Sequence, residues 1–189
     1  MSRSEKIAIV GIGGIFPGSS TLDGFWNNVV NGVDCSKEIP EERWPVDPKK
    51  FYDPEVGTLD KVPNLRGYFM DKLSNDFYGL DIDIDAVDQL DELFKLVLLA
   101  GRDAFYDCKH EAIDRKRTKI IIGNIALPTT HSVKMARELI GATYAKSSAN
   151  LDVEELNLEA ADHYVCGLPA SLLAKSLGLG LGSFTLDAA

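Results

Sequence analysis

Four groups of residues in this chain have types and spacings that could do chemistry. The first is "GIGGIFPG", residues 11–18, because glycines between a first strand and a helix let the backbone close around a dinucleotide pyrophosphate. With Gly11 and Gly13 in the first two places, the third glycine position falls on Phe16, and Pro17 follows. That departure favours a plain turn where two backbones approach closely, and leaves a nucleotide-binding α/β module as the weakest functional reading. The second group is "DIDIDAVDQLDE", in which Asp81, Asp83, Asp85 and Glu92 fall at calcium-loop positions. Its sixth place holds Ala86 where the sharp turn wants glycine, so an acidic helix entry, favoured by the helix dipole, accounts for the same residues. No metal site is expected.

The third group is the cysteines and histidines. Cys35, Cys108 and Cys166 are odd in number, widely spaced and without a CxxC pairing. They read as ordinary thiols of a reducing compartment. His110, His131 and His163 are far apart and lack partners at ligand or triad spacing, so no nucleophile and base emerge from local sequence. The fourth group, "KHEAIDRKRTK", concentrates Lys109, Arg115, Lys116, Arg117 and Lys119 between a helix and a strand. It is either a solvated loop or a docking patch for an acidic partner.

Composition narrows the classes further. The 189 residues, 45% hydrophobic and 26% charged, suffice for one sizeable core or for half of a larger one. Twenty basic residues against 29 acidic ones give a net charge of -9, which disfavours nucleic acid. No window holds the roughly 18 consecutive apolar residues of a membrane span, and "MSRSEKIAIVGIGG" lacks the plan of a signal peptide. A cytoplasmic protein without membrane contact is expected.

The elements that must position any site follow from periodicity. "KIAIVGI", residues 6–12, predicts a buried strand. "TLDGFWNNVVNG" puts Leu22, Phe25, Trp26, Val29 and Val30 on one helical face, with Thr21 as N-cap and Gly32 as stop. Residues 33–64 carry Pro40, Pro45, Pro48, Pro54 and Pro63, a long surface excursion of the kind that is usually functional or interfacial. A helix is expected from near Asp85 through "LDELFKLVLLAGRDAFYD", burying Leu90, Phe94, Val97, Leu98, Gly101 and Phe105. A strand in "TKIIIGN" follows, then a helix around "SVKMARELIGATYA", the acidic stretch "NLDVEELNLEAAD", an apolar helix opening at Pro169, and a last strand in "GSFTLDAA". Strands alternating with helices imply an α/β layer structure.

In order, "IAIVGIGGIFPGSSTLDGFWNNVVNGVD", "IPEERW", "FYDP", "LDELFKLVLLAGRDAFYD" and "GLPASLLAKSLGLGLGSFTLDAA" resemble the N-terminal half of β-ketoacyl synthases. The similarity is to ketosynthase domains of polyketide and polyunsaturated-fatty-acid synthases. It implies that residues 1–189 are the N-terminal part of a ketoacyl-synthase domain, one half of a thiolase-like layered fold that is α/β/α/β/α when complete. In that family the strand ending like "TLDAA" is followed at once by the nucleophilic cysteine, so the resemblance places the nucleophile directly after Ala189 and no catalytic group among the three cysteines present. Leu186, Asp187, Ala188 and Ala189 would then aim it, and Asn124, Ile125, Ala126 and Leu127 match a loop that lines the acyl pocket.

The same resemblance implies further expectations. The strand of Ser183, Phe184, Thr185, Leu186 and Asp187 would pair across a dimer two-fold. The complete protein would catalyse decarboxylative condensation of acyl and malonyl thioesters, with no bound cofactor and with substrates on the phosphopantetheine of an acyl carrier protein. It would work as a homodimer or a ketosynthase-like heterodimer. The alternative is a non-catalytic partner of the chain-length-factor type. Two departures from the family pattern are visible: "LGLGLG" at residues 177–182 where "LGLRGP"-like turns are common, and Glu92 where proline is common.

Overall fold

Asp91 has a carboxylate one turn ahead of a long apolar repeat, and the repeat begins where that carboxylate caps it. Its Oδ1 accepts from the Leu93 amide at 2.9 Å, which starts a helix at Glu92–Asp107. The computed structural model in which this is seen describes residues 6–40, 47–124 and 166–187, and divides into one unit of Met1–Gly14 with Leu73–Ala189 and a second of Ile15–Lys72.

The second unit opens with α1, Leu22–Val30, capped by the Thr21 hydroxyl, which accepts from the Gly24 amide at 3.1 Å. Phe16 stacks on Phe25 with centroids 4.0 Å apart, yet no residue of α1 is buried and Trp26 is 63% exposed. The expected face exists but lies open. Two short strands, β1 at Lys37–Glu38 and β2 at Arg66–Gly67, pair antiparallel, and a 3-10 turn at Pro48–Phe51 lies between them. Arg66 holds this ribbon by donating to the Ser36 carbonyl and hydroxyl at 2.8 and 2.9 Å, while Lys37 pairs with Asp71. Among the described residues of the proline-rich excursion, β1 and the 3-10 turn at Pro48–Phe51 are the regular elements, both short.

In the first unit a short helix α2, Ile84–Asp88, precedes α3, Glu92–Asp107. The single helix expected from Asp85 is therefore two, because Asp83 and Asp91 each stop to cap a helix of their own. Phe94, Leu98, Leu99 and Phe105 are buried along α3, as are Val87 of α2 and Phe77, whereas Leu90, Val97 and Gly101, expected among them, are half-buried. Strand β3, Ile120–Gly123, runs parallel to β4, Ser183–Leu186, and α4, Leu168–Ser176, packs on both strands and on α3. Ala170, Leu173, Ala174 and Leu177 fill that contact, burial that contributes about 0.8 kcal/mol per CH2 group. The strand–helix–strand order and the parallel pairing make this unit α/β.

α4 opens with Pro169 in its first turn and closes at Gly178, whose φ of +65° is the left-handed cap. The Leu179 amide donates back to the Ala174 carbonyl at 2.8 Å and Gly178 to Lys175 at 2.9 Å, which turns the chain sharply toward β4.

Residues 6–12 form no strand, contrary to the expectation. Gly13 lies so close to α3 that a Cβ there would sit 2.5 Å from the Ala100 carbonyl, and the Ile12 amide donates to Asp107 Oδ2 at 2.9 Å. The Ile12 amide is thus bonded to α3, and among the described strands β3 pairs with β4. Ile7 and Ile9 are left 96% and 84% exposed, and an apolar cavity of about 610 Å³ separates Ile9, Val10 and Gly11 from Ile120, Ile121 and Ile122. The helix expected around residues 132–145 and the acidic stretch at 150–162 lie outside the described residues.

Candidate active site

Parallel pairing brings together two segments that are remote in sequence. The register sets Ile120 opposite Ser183 and Gly123 opposite Leu186, so both strands end at the same edge of the sheet. At that edge the Asn124 amide donates to the Leu186 carbonyl at 2.9 Å. Asn124, expected to line an acyl pocket, thus touches Leu186, expected to aim a nucleophile, and Asp187 is next along the chain. The carboxyl ends of parallel strands are where such sheets place their ligands, because loops there diverge and leave a crevice. Ile125, Ala126, Leu127, Ala188 and Ala189 lie outside the described residues.

The ladder also shows which edge of β4 is open. Ile120 N donates to Gly182 O at 3.1 Å and Asn124 N to Leu186 O at 2.9 Å. In a parallel ladder alternate residues face one neighbour, so Ser183 and Thr185 turn their N–H groups away from β3. Among the described residues no strand pairs with that side. Phe184 and Leu186 are exposed; the Thr185 hydroxyl is buried without a hydrogen-bond partner, and Ser183 Oγ meets Ser171 Oγ of α4 at 3.1 Å. Lys175 is the nearest basic residue in sequence, but in space Lys119 stands over the Phe184 ring at 5.6 Å.

The basic stretch resolves into separate duties. Arg115 Nη1 donates to the Leu177 carbonyl at 2.7 Å, and its guanidinium lies 5.1 Å from the Phe105 ring centroid. Arg117 contributes to the 3-10 turn Arg115–Arg117 through its amide, capped by Asp114, and Arg115, Lys116 and Arg117 are all exposed residues. The sequence contains no local signal for the Arg115 contact, since its partner lies far along the chain.

Asp83 and Asp91 are occupied as caps, and no cluster of His, Cys, Asp and Glu suited to a metal is present among the described residues. Cys35, Cys108 and Cys166 are free thiols, and Cys108 donates to the Phe105 carbonyl at 3.0 Å. His110 meets Tyr106 edge-on. The glycine run offers no phosphate cradle, because the space a Cβ would take at Gly11 and Gly13 is filled by α3 backbone. No helix among the described residues is long and apolar enough to cross a membrane.

A parallel α/β unit with its candidate site at the strand ends is the architecture of thiolase-like ketosynthase domains. The chain belongs to the β-ketoacyl synthase family: the family description "Beta-ketoacyl synthase, N-terminal domain" matches residues 4–174. Among its relatives, "Polyketide synthase ThaG" of Burkholderia thailandensis is 28% identical over 94% of this chain and 3% of its own length. A polyunsaturated fatty acid synthase component of Thraustochytrium sp. is 27% identical over 61% of this chain and 4% of its own. The solved "PfaC Keto synthase-Chain length factor" superposes with a TM-score of 0.77 at 27% identity, covering 96% of this chain and 21% of that one. The chain therefore spans a small fraction of the length of the proteins it matches.

Proposed function

We propose that this chain is the N-terminal half of a ketosynthase that extends carrier-bound acyl chains in a polyketide or polyunsaturated-fatty-acid type of synthase. One observation carries the reading: β3 and β4 end side by side, with Asn124 bonded to Leu186, at the edge where the family places its nucleophile. A cysteine thiolate following Ala189 would attack the acyl thioester and release the phosphopantetheine thiol. A malonyl thioester on a second carrier would then lose carbon dioxide, and its enolate carbon would attack the acyl-enzyme carbonyl and expel the cysteine thiolate. The product is a 3-oxoacyl thioester longer by two carbons. Dividing the condensation this way lets each half-reaction have its own bound geometry.

In this proposal the chain's own share is placement. β4 delivers the nucleophile to a helix N-terminus, where unpaired N–H groups stabilise thiolate, and Asn124 begins the wall against which the acyl group lies. The complete protein would act on acyl carrier protein as a dimer in the cytoplasm, with the open edge of β4 as the two-fold contact. A second reading is a chain-length-factor partner, favoured by the PfaC structure, whose name includes that type of protein.

Intact-protein mass spectrometry after incubation with an acyl carrier thioester separates the two. A covalent acyl adduct on the residue following Ala189 supports the ketosynthase. No adduct, with a residue other than cysteine at that place, supports the non-catalytic partner.

A further inference from the structure

The turn that launches β4 is held from outside by a residue of the basic stretch. α4 spends its last amides on its own cap, with Leu179 donating to Ala174 and Gly178 to Lys175, which leaves the Leu177 carbonyl directed outward at the negative end of the helix. Arg115 Nη1 takes that carbonyl at 2.7 Å. Its guanidinium is set by the Phe105 ring of α3 beneath it, 5.1 Å to the centroid. From the other side, the Arg115 carbonyl accepts from the Gly180 amide at 2.8 Å, and the Thr118 carbonyl accepts from Leu181 at 3.1 Å. The approach is close enough that a Cβ at Gly180 would lie 3.1 Å from Lys116 Cα. Both ends of one residue therefore grip the turn, at Leu177 and at Gly180.

We propose that Arg115 is a positioning residue for the acyl-transfer nucleophile: its double grip on residues 177–180 sets where β4 starts, and so where Leu186 and Asp187 end. The proposal rests on the ketosynthase reading for its functional consequence. Its structural part stands on the ladder itself. β4 alternates Ser183 and Thr185 on its more buried face with Phe184 and Leu186 outward, so a register slip of one residue would exchange the faces and move the strand end by about 3.3 Å. A displacement of even about 1 Å at a reacting atom can cost about 100-fold in rate. The grip joins the glycine-rich turn "LGLGLG" at residues 177–182 to an arginine on the facing loop.

The test uses the synthase that carries this chain, with Arg115→Gln and Arg115→Lys compared with the parent. Three quantities are read: the single-turnover rate of acyl transfer from the carrier thioester to the protein, the KM for that carrier, and amide hydrogen exchange across residues 180–186. Positioning predicts a loss of tenfold or more in rate for Arg115→Gln, KM within twofold, and faster exchange at Gly180 and through β4. Arg115→Lys, which keeps a cation over Phe105 and a donor for Leu177, recovers to within threefold.

A raised KM at unchanged rate overturns the proposal in favour of a carrier-docking patch, and unchanged rate and exchange overturn it outright. Should Arg115→Gln fail to fold, Gly180→Ala decides. It crowds the same grip without touching charge, and a parental rate in that variant overturns the proposal. If the parent itself accepts no acyl group, the ketosynthase reading fails separately. Exchange then decides the structural claim, with faster exchange in Arg115→Gln supporting it and parental exchange overturning it.

Discussion

Replacing Gly13 with alanine tests the reading of the glycine run as a close backbone approach. A methyl group at Gly13 would stand 2.5 Å from the Ala100 carbonyl oxygen and 2.9 Å from the Asp103 carbonyl carbon, where ordinary contact begins near 3.4 Å. α3 is held by the buried Phe94, Leu98 and Leu99, so residues 6–13 must withdraw by about 1 Å. The Ile12 amide then loses Asp107 Oδ2, its partner at 2.9 Å. Overpacking costs about 1–3 kcal/mol, the lost exposed hydrogen bond adds about 1 kcal/mol or less, and alanine returns about 0.4–1 kcal/mol by restricting the unfolded chain. The net expectation is a destabilisation of about 1–3 kcal/mol, because steric overlap with main-chain atoms has no side-chain rotation to relieve it. Urea unfolding followed by circular dichroism measures it, with Gly167→Ala as the control, since nothing lies within 4 Å of that site. Parental stability in Gly13→Ala, with unchanged exchange of the Ile12 amide, would refute the packing argument and reopen the nucleotide reading.

Residues 1–189 alone are expected to form no 3-oxoacyl thioester from acyl and malonyl carrier thioesters; product in a coupled mass-spectrometric assay would contradict the assignment of the nucleophile. The same chain is expected to bind an environment-sensitive hydrophobic dye in its folded state, because Ile7, Ile9, Trp26 and Phe184 are among many exposed apolar side chains; silent dye fluorescence would count against it. In the complete protein Thr185→Pro should break the dimer while sparing β3–β4, since the Thr185 amide faces the outer edge; a variant that still sediments as a dimer removes β4 from the two-fold. The Ser36 amide and hydroxyl hold the Asp34 carboxyl below its ordinary 3.8, with Arg66 adding to this, and Lys37 does the same for Asp71. A lowered folded-state value contributes stability above the unfolded value that is lost as pH falls through the folded one, so these links should persist at pH 4 and fail below 3.8; carboxyl NMR titrations with midpoints at or above 3.8 would sink this.

What the sequence determined by itself was local. Thr21, Pro169 and Gly178 act within one turn of where they stand, so a cap or a stop can be read without knowing what surrounds it. The apolar repeat of α3 and the β-branched run of β3 were legible for the same reason, and so was the family, through the resemblance its segments carry in order. The break between α2 and α3 was also local in cause, but two aspartates inside an acidic run gave competing caps that periodicity smoothed over. Tertiary structure decided everything that depends on a partner remote in the chain. Residues 6–12 have every side-chain preference of a strand, yet a strand needs a neighbour's hydrogen bonds, and the segment lies instead against α3, close at Gly13 and bonded through the Ile12 amide. The face of α1 is amphipathic in sequence and uncovered in space, because patterning states which side could be buried and not whether anything arrives to bury it. Arg115 looked like one charge among five, and only the fold set the Leu177 carbonyl and the Phe105 ring within its reach. Hydrogen bonds and ring contacts act over a few ångströms, so the residues they join are chosen by the path of the backbone, which no single segment specifies.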